Sequence, residues 1–150
     1  MKFRRIVYPT DFSRASGVAF TKALSLAKEN RAELTLVHVI SPVAAFVGEG
    51  YVSPDTYRSI EQGARRSAQR RLAGLLKKAT KAGVRARSVV LEGISYEQIA
   101  RVARARRADL IVMGTHGRTG FSRFFMGSVA ERVIPLAPCP VLTVRGRRGR

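Results

Sequence analysis

Short apolar runs alternate with longer amphipathic stretches along most of this chain of 150 residues. The apolar runs, which we predict as strands, are 3–8, 33–40, 84–91, 109–113 and 140–145. The stretches predicted as helices are 14–30, 56–82, a shorter one opening at 95, and 128–136. Alternating strands and helices form βαβ units, which require right-handed crossovers and a parallel sheet covered on both faces. We therefore predict an α/β fold, a single doubly wound domain with a five-stranded parallel sheet flanked by helices.

Local signals mark the expected helix ends. Ser13 is of the residue type that caps helix N-termini, and Gly83 is expected to end the second helix. The segment Ser95-Tyr96-Glu97-Gln98 has the form of a capping box, which predicts Ser95 as an N-cap. Two glycines and a proline between 43 and 55 predict a flexible surface loop there.

The second predicted helix has one apolar side and one basic side. Its arginines and lysines fall largely between the apolar positions, which is typical of a helix that packs on a sheet with one face and meets solvent with the other. The apolar positions are Ile60, Ala64, Ala68, Leu72, Leu75, Leu76 and Ala79.

Composition limits the class of protein. Hydrophobic residues make up 45% and charged residues 25%, which indicates a globular domain rather than a disordered chain. We expect this domain to span 1–145 and a basic disordered tail to follow at 146–150. The sequence contains neither a signal peptide nor an apolar run of membrane-spanning length, so we expect a cytoplasmic protein without membrane insertion.

Cysteine and histidine are too scarce to form a metal centre of those ligands. Cys139, His38 and His116 are the only such residues in the chain, so no Cys and His cluster is expected. The single cysteine cannot form an internal disulfide, and we expect an inert thiol.

The formal net charge of +18 is unusual, and arginine supplies 22 of the 28 basic residues. Such a charge attracts polyanions, so nucleic acid or an acidic membrane surface is an alternative partner, nucleic acid through the basic residues between 65 and 87 and through the tail. No aromatic residues are interleaved with these basic clusters to stack on bases, which favours a solvated basic surface instead.

A glycine-rich loop between the fourth strand and the last helix indicates a phosphate site. Gly114 directly follows the strand, Gly117 lies within the loop, and Gly127 and Ser128 open the helix. Glycines let the backbone approach a ligand, and the first amides of a helix are unpaired donors at its positive end. Arg118 and Arg123 supply positive charge from within the loop.

Two better-known phosphate loops do not fit. A Walker loop requires Gly-Lys-Ser or Gly-Lys-Thr, whereas Met126 precedes Gly127 here. The dinucleotide fingerprint belongs after the first strand, where this chain has Pro9-Thr10-Asp11-Phe12-Ser13.

The pattern Gly114-x2-Gly117-x9-Gly127-Ser128, together with the segment 9–13 after the first strand, resembles the universal stress protein family and specifically its ATP-binding branch. The similarity extends from Phe3 to Val144. The resemblance implies the strand order 3-2-1-4-5 and a crevice at the carboxyl ends of strands one and four. It also implies bound ATP or a related adenine nucleotide, with or without Mg²⁺, and a stress-response binding or regulatory role.

The resemblance implies a ligand site at the matching positions. Asp11 would bind the ribose, the Val39 backbone the adenine edge, and Met113 and Gly114 would lie along sugar and base. The positions implied to hold the phosphates are Gly117, Gly127, Ser128 and Val129. The other predicted site residues are Pro9, Thr10, His116 and Arg118. The family commonly forms homodimers, and the strand Val141–Val144 is the expected contact.

No convincing catalytic set is present in the sequence. His116 lies in the loop, but no carboxylate near it in sequence would orient it as a base. We therefore expect a binding protein rather than a dedicated enzyme. Slow adventitious ATP hydrolysis stays open as an alternative, because positioned phosphates and a metal ion suffice for some turnover.

Overall fold

The computed structural model describes residues 2–42, 50, 52–115 and 126–146. Strands and helices alternate through this part of the chain. In order they are β1 (Arg5–Pro9), α1 (Arg14–Asn30), β2 (Glu33–Ile40), α2 (Pro54–Lys81), β3 (Ala86–Glu92), α3 (Ser95–Ala105), β4 (Leu110–Gly114), α4 (Ser128–Leu136) and β5 (Val141–Val144).

The five strands form one parallel sheet in the order β3-β2-β1-β4-β5. β1 lies at the centre, where Ile6 is in register with Leu34 of β2 on one side and with Leu110 of β4 on the other. The chain leaves β1 toward β2, whereas β4 lies on its opposite side. This is the reversal of strand order at which doubly wound sheets open a crevice. The predicted fold class and strand order are confirmed.

Two helical layers cover the sheet. On one face α1 and α2 contribute Phe20 and Leu72 to a core that includes Ile6, Leu34 and Val112. On the other face α3 and α4 contribute apolar side chains that pack on the alternate positions of the same strands. Successive residues of a strand point to opposite faces, so the apolar central strands serve both layers at once.

The second helix begins earlier than predicted. It starts at Pro54, and the Ser53 hydroxyl accepts a hydrogen bond from the Thr56 backbone N–H. Proline suits the first helical position, because it lacks an N–H that the helix leaves unpaired there. The predicted loop was therefore wrong for Pro54 and Asp55, and its residues 43–49 and 51 lie outside the described residues.

Only part of the predicted apolar side of α2 is buried. Leu72 and Ala79 are buried, but Ile60 retains 46% of its exposure. A helix of 28 residues is about 42 Å long, whereas the seven-residue β3 spans roughly 23 Å. The first turns of α2 therefore extend beyond the strands, and the expected burial of Ile60 was wrong.

The predicted capping box at Ser95 was also wrong. The N-cap of α3 is Ile94, no side chain caps the helix, and Ser95 is the first helical residue. The preceding Gly93 has a φ of +128° and donates its N–H to the Ile40 carbonyl oxygen at 3.1 Å. This tight connection from β3 brings Ser95 one position too far into the helix to cap it.

The predicted end of α2 at Gly83 is confirmed. Gly83 has a φ of +79°, which favours glycine, and it donates its N–H to the Thr80 carbonyl. Val84 then donates to the Ala79 carbonyl, so it belongs to this turn and β3 begins at Ala86.

Candidate functional site

A cavity of about 440 Å³ opens at the carboxyl ends of β1, β2 and β4. Its volume is within the range of small-molecule sites, roughly 300–1,000 Å³. The first residues of α3 and α4 also line it, through Ser95 and Ser128. Asp11 is the one charged side chain among the described lining residues.

Two helix N-termini therefore face the same cavity. The N-cap of α4 is Gly127, and no side chain of the described residues caps either α4 or α3. Unpaired amides and the positive end of the macrodipole make such a terminus favourable for an anion. The Gly127 N–H itself donates to the Thr115 carbonyl, so the donors that α4 offers are the amides that follow Gly127.

The turn between β1 and α1 carries Asp11 at the cavity wall. Its Oδ1 accepts a hydrogen bond from the Ser13 N–H at 2.9 Å, and the Ser13 hydroxyl accepts from the Ser16 N–H at 3.2 Å. Ser13 is thus the N-cap of α1, as predicted. Asp11 both stabilises this turn and lines the cavity.

A buried hydrogen-bond network supports the turn from below. The Tyr8 hydroxyl donates to the Ser16 carbonyl at 2.7 Å, and the Thr10 hydroxyl is 2.6 Å from the Ser16 hydroxyl. Burial raises the pKa of Tyr8 above its ordinary value, and the hydrogen bonds to Ser16 and Thr10 partly oppose this. Tyr8 is therefore a neutral phenol at physiological pH.

Phe12 adopts a backbone conformation that is uncommon for a bulky residue. Its φ is +62°, in the left-handed region, which costs an L-residue roughly 1–2 kcal/mol. The ring lies 4.6 Å from the His38 ring and 5.1 Å from the Arg71 guanidinium carbon, centroid distances that allow stacking and a cation–π contact. These contacts offset the cost of the conformation.

Gly114 serves packing at the end of β4. A Cβ at this position would lie 3.0 Å from the Ala15 carbonyl carbon and 3.1 Å from the Ser16 nitrogen. Only a residue without a side chain lets β4 end this close to the first turn of α1. We expected its backbone to approach a ligand, and the structure adds this second constraint.

The model of the universal stress protein family matches residues 2–145. This range covers nearly the whole chain, from the strand that precedes Asp11 to the end of β5. The chain belongs to the universal stress protein family.

Relatives and solved structures agree with this assignment. Universal stress protein MJ0531 of Methanocaldococcus jannaschii is 40% identical over 143 residues, which are 95% of this chain and 82% of that protein. The solved structure of MJ0577 of the same organism has a TM-score of 0.88 at 26% identity and covers 99% of this chain and 100% of that one. The universal stress protein of Archaeoglobus fulgidus, solved in complex with dAMP, shares the fold with a TM-score of 0.66 at 24% identity, covering 96% and 99%.

In this universal stress protein, most of the predicted site residues line one cavity. Those that do are Pro9, Thr10, Asp11, Val39, Met113, Gly114, Gly127, Ser128 and Val129. They come from both ends of the chain and meet because β1, β2 and β4 are neighbours in the sheet. His116, Gly117 and Arg118 of the predicted site, and Arg123 of the same loop, lie outside the described residues.

Several lining residues were not predicted. Ser95 and Ile99 of α3, Ser16 of α1 and Ser41 after β2 also face the cavity. The position of Ser41, directly after an apolar strand, is a usable signal, since ligands bind beyond the carboxyl ends of parallel strands. Ser95 has no comparable signal in the sequence, because its place beside the cavity depends on where α3 packs.

The described part of the chain lacks two kinds of feature, a membrane-spanning helix and a metal-binding cluster. None of its helices is both long and apolar enough to cross a membrane. Within the same ranges, no three His, Cys, Asp or Glu residues are grouped so that they could hold a metal ion. Burial raises the pKa of the Cys139 thiol, and the nearby Asp109 carboxylate adds to this. Both effects disfavour the reactive thiolate.

Proposed function

We propose that this universal stress protein binds ATP or a related adenine nucleotide in the cavity at the carboxyl ends of β1, β2 and β4. The observation that carries the proposal is the convergence of two helix N-termini, neither capped by a side chain, on one cavity with polar lining. Polyphosphates are anions that such termini stabilise through backbone N–H donors.

The lining residues suit the parts of a nucleotide. Asp11 offers carboxylate oxygen to ribose hydroxyls on the β1 side, and Val39 and Ile99 offer apolar surface to a base. Ser128 and Val129 begin α4 and would donate to phosphate oxygens. Gly117, His116 and Arg118 stay predicted phosphate contacts of the same loop.

Relatives support the ligand class. The Archaeoglobus fulgidus protein with the same fold was solved with dAMP, an adenine nucleotide. The preference for a triphosphate, and a Mg²⁺ ion held with it, are our proposals for this chain, based on the anion-favouring helix termini.

The test is calorimetry with ATP, together with mass spectrometry of the small molecule released when the purified protein is denatured. Gly127→Val should abolish ATP binding in a folded protein, because a branched side chain would enter the position of the phosphates. Gly50→Val is the matched control, since a Cβ at Gly50 meets nothing within 4 Å. Flat calorimetry for the wild type, or unchanged affinity in folded Gly127→Val, contradicts the proposal.

We further propose that the protein acts as a stress-response binding module whose nucleotide changes its partners, not as a dedicated enzyme. No described lining residue is a histidine or lysine that could serve as a general base beside Asp11. Phosphate release from ATP should not exceed the rate in buffer. Turnover that His116→Ala abolishes would instead establish a nucleotide hydrolase.

We propose that the protein forms a homodimer through β5. β5 pairs with β4 on one side and is the terminal strand of the described sheet, with all four residues half-buried. An edge strand has unpaired N–H and C=O groups that a second copy can bind. Sedimentation should show a dimer that Thr143→Lys weakens and that Thr80→Lys, on the exposed side of α2, leaves intact.

Duplex nucleic acid is a second candidate partner, supported by a basic stripe on α2. Arg66, Arg70, Lys77 and Lys81 are all exposed, and helical geometry places them within about 60° of one another along roughly 22 Å. The ion pairs found in the described structure, Arg65–Glu92 and Arg87–Glu33, use other residues.

The stripe is better suited to the phosphate backbone of a duplex than to single-stranded nucleic acid or to a membrane surface. No aromatic residue lies among its four cations to stack on bases. The apolar residues of α2 between Leu72 and Ala79, beside the stripe, pack against the core and cannot enter a bilayer. Cations spaced along one line suit a regular array of phosphates.

Fluorescence anisotropy with a DNA duplex over a salt series tests the second candidate. Lys77→Glu with Lys81→Glu should weaken binding and flatten its log–log salt slope by about two, since each phosphate contact contributes roughly 0.9. Lys22→Glu with Lys28→Glu on exposed positions of α1 makes the same charge change and should have a smaller effect. Equal losses from both pairs, or no binding at low salt, would remove the stripe as a site.

A further inference from the structure

Within the described residues, the Phe12 ring connects the turn that carries Asp11 to α2. Phe12, with its φ of +62°, contacts the His38 ring of β2 and lies under the Arg71 guanidinium of α2. Among the described residues, none of α2 lines the cavity. Through Phe12, the surface helix α2 therefore contacts the wall of the cavity, although α2 itself does not line the cavity.

His38 also holds the residue on the other side of Asp11. Its Nδ1 is 2.7 Å from the Thr10 carbonyl oxygen. A carbonyl only accepts, so Nδ1 carries the hydrogen, and this bond is compatible with both the neutral and the protonated ring. The Thr10 hydroxyl in turn accepts from the Phe12 N–H at 3.0 Å. Asp11 is thus flanked by two residues that His38 contacts.

We propose that Phe12, His38 and Arg71 are positioning residues that hold Asp11 in its nucleotide-binding orientation. The inference rests on the proposed nucleotide function. A left-handed Phe12 persists only while its surroundings over-determine it. When the ring loses its contacts, the backbone at Phe12 rotates to a common conformation and carries the Asp11 carboxylate with it.

A positioning role predicts that substitution of Phe12 weakens ATP binding while the protein remains folded. Phe12→Gly removes a ring that packs against the core but suits the left-handed backbone, so relief of backbone strain offsets part of the lost packing and the melting temperature should fall only slightly. The turn then samples several conformations, and the apparent Kd rises as the competent fraction falls, by about tenfold if a tenth of the molecules retain it. A purely structural role predicts the reverse, a lower melting temperature with unchanged Kd.

Substitutions of His38 separate its ring contact with Phe12 from its hydrogen bond to Thr10. His38→Asn retains an N–H donor near the Nδ1 position and loses the ring contact, whereas His38→Phe retains a ring and loses the donor. Each should weaken ATP binding in a folded protein, by about threefold or more, because each removes a restraint on the turn that carries Asp11.

Arg71 provides the sharpest test, because its side chain is exposed and its loss does not threaten folding. Arg71→Ala should raise the Kd for ATP by about threefold through the released turn. Arg58→Ala removes the same charge from an exposed position of the same helix and should leave the Kd unchanged. Equal affinities for these two variants would overturn the proposal.

Hydrogen exchange measured in the absence of nucleotide tests the positioning role independently of the proposed nucleotide binding, on which this inference rests. The Phe12 and Ser13 amides donate to Thr10 Oγ1 and Asp11 Oδ1, so their hydrogen exchange reports whether the turn is formed. NMR should show faster exchange at both amides in Arg71→Ala than in Arg58→Ala. If wild type binds no nucleotide, the proposed function fails while faster exchange still supports the positioning role; unchanged exchange in Arg71→Ala refutes that role directly.

Discussion

Among single residues, two glycines differ in whether the structure has room for a side chain. Gly114 packs against α1, and Gly17 lies within it. Gly114 has no room for a Cβ beside Ala15, whereas a Cβ at Gly17 would meet nothing within 4 Å. Gly114→Ala should lower the free energy of unfolding by about 1–3 kcal/mol, because the α1 backbone must move. Gly17→Ala should raise it by about 0.5–1 kcal/mol, since alanine favours a helix interior.

Urea unfolding of both variants measures this difference. A Gly114→Ala variant that is as stable as the wild type would show that β4 and α1 are not in the close contact described. Gly114→Ala that unfolds normally but binds ATP poorly would instead assign Gly114 mainly to the ligand.

Tyr8 makes stability depend on alkaline pH. Its folded pKa is raised above 10.0, mainly by burial, so folding favours the protonated phenol. The contribution is fully present below pH 10.0 and is lost as the pH rises through the folded pKa. Near neutral pH, Tyr8→Phe should cost about 1 kcal/mol for the lost hydrogen bonds.

Comparison of the two proteins by urea unfolding isolates this group from other titrations. The stability advantage of wild type over Tyr8→Phe should shrink as the pH is raised above 10.0. An advantage that stays constant across that range would show that the phenol ionises equally in both states.

At the scale of elements, α2 combines a packed half with an overhanging half. Leu72 is 1% exposed in the core under the sheet, whereas Ile60 is 46% exposed beyond it. Leu72→Ala should lower the free energy of unfolding by about 2–5 kcal/mol, through lost burial and a residual cavity. Ile60→Ala on the same helix should change it by no more than about 0.5 kcal/mol.

Urea unfolding of Leu72→Ala and Ile60→Ala, fitted with one common dependence of the free energy of unfolding on urea concentration, checks the comparison. A loss at Ile60 comparable to that at Leu72 would mean that the overhanging turns of α2 are covered in solution, for example by the segment that precedes them or by a partner.

At the scale of the whole molecule, the net charge of +18 opposes the compact state. The described structure contains two ion pairs, both partly exposed, and exposed pairs contribute little. Self-repulsion of this kind is screened by salt. Sodium chloride should therefore raise the melting temperature of the free protein.

A charge-reduced variant provides the control. Replacement of Arg66, Arg70, Lys77 and Lys81 by glutamine lowers the net charge by four and should reduce the salt-induced rise. Chloride is preferable to sulfate, which also strengthens apolar burial. A melting temperature that falls with salt in wild type would mean that attractive pairs outweigh repulsion.

A motif resemblance predicted the family, whereas sequence patterns alone predicted the order of the elements and most of the helix ends. These follow from local causes: alternation of apolar residues, the hydroxyl of Ser13 as a cap and the conformational freedom of Gly83. The positions of Gly114, Gly127 and Ser128, after a strand and at the start of a helix, also predicted residues that line the cavity, because the motif depends on neighbours in the chain.

The contacts between residues that are distant in the chain follow from tertiary packing. Ser95 lies beside the cavity and Ile60 lies beyond the sheet because of where α3 and α2 pack, which a local pattern does not contain. The contact of Phe12 with His38 and Arg71 joins the turn after β1 to β2 and α2, and it depends on strand order. Periodicity acts over a few residues, whereas such contacts follow from the arrangement of the whole sheet.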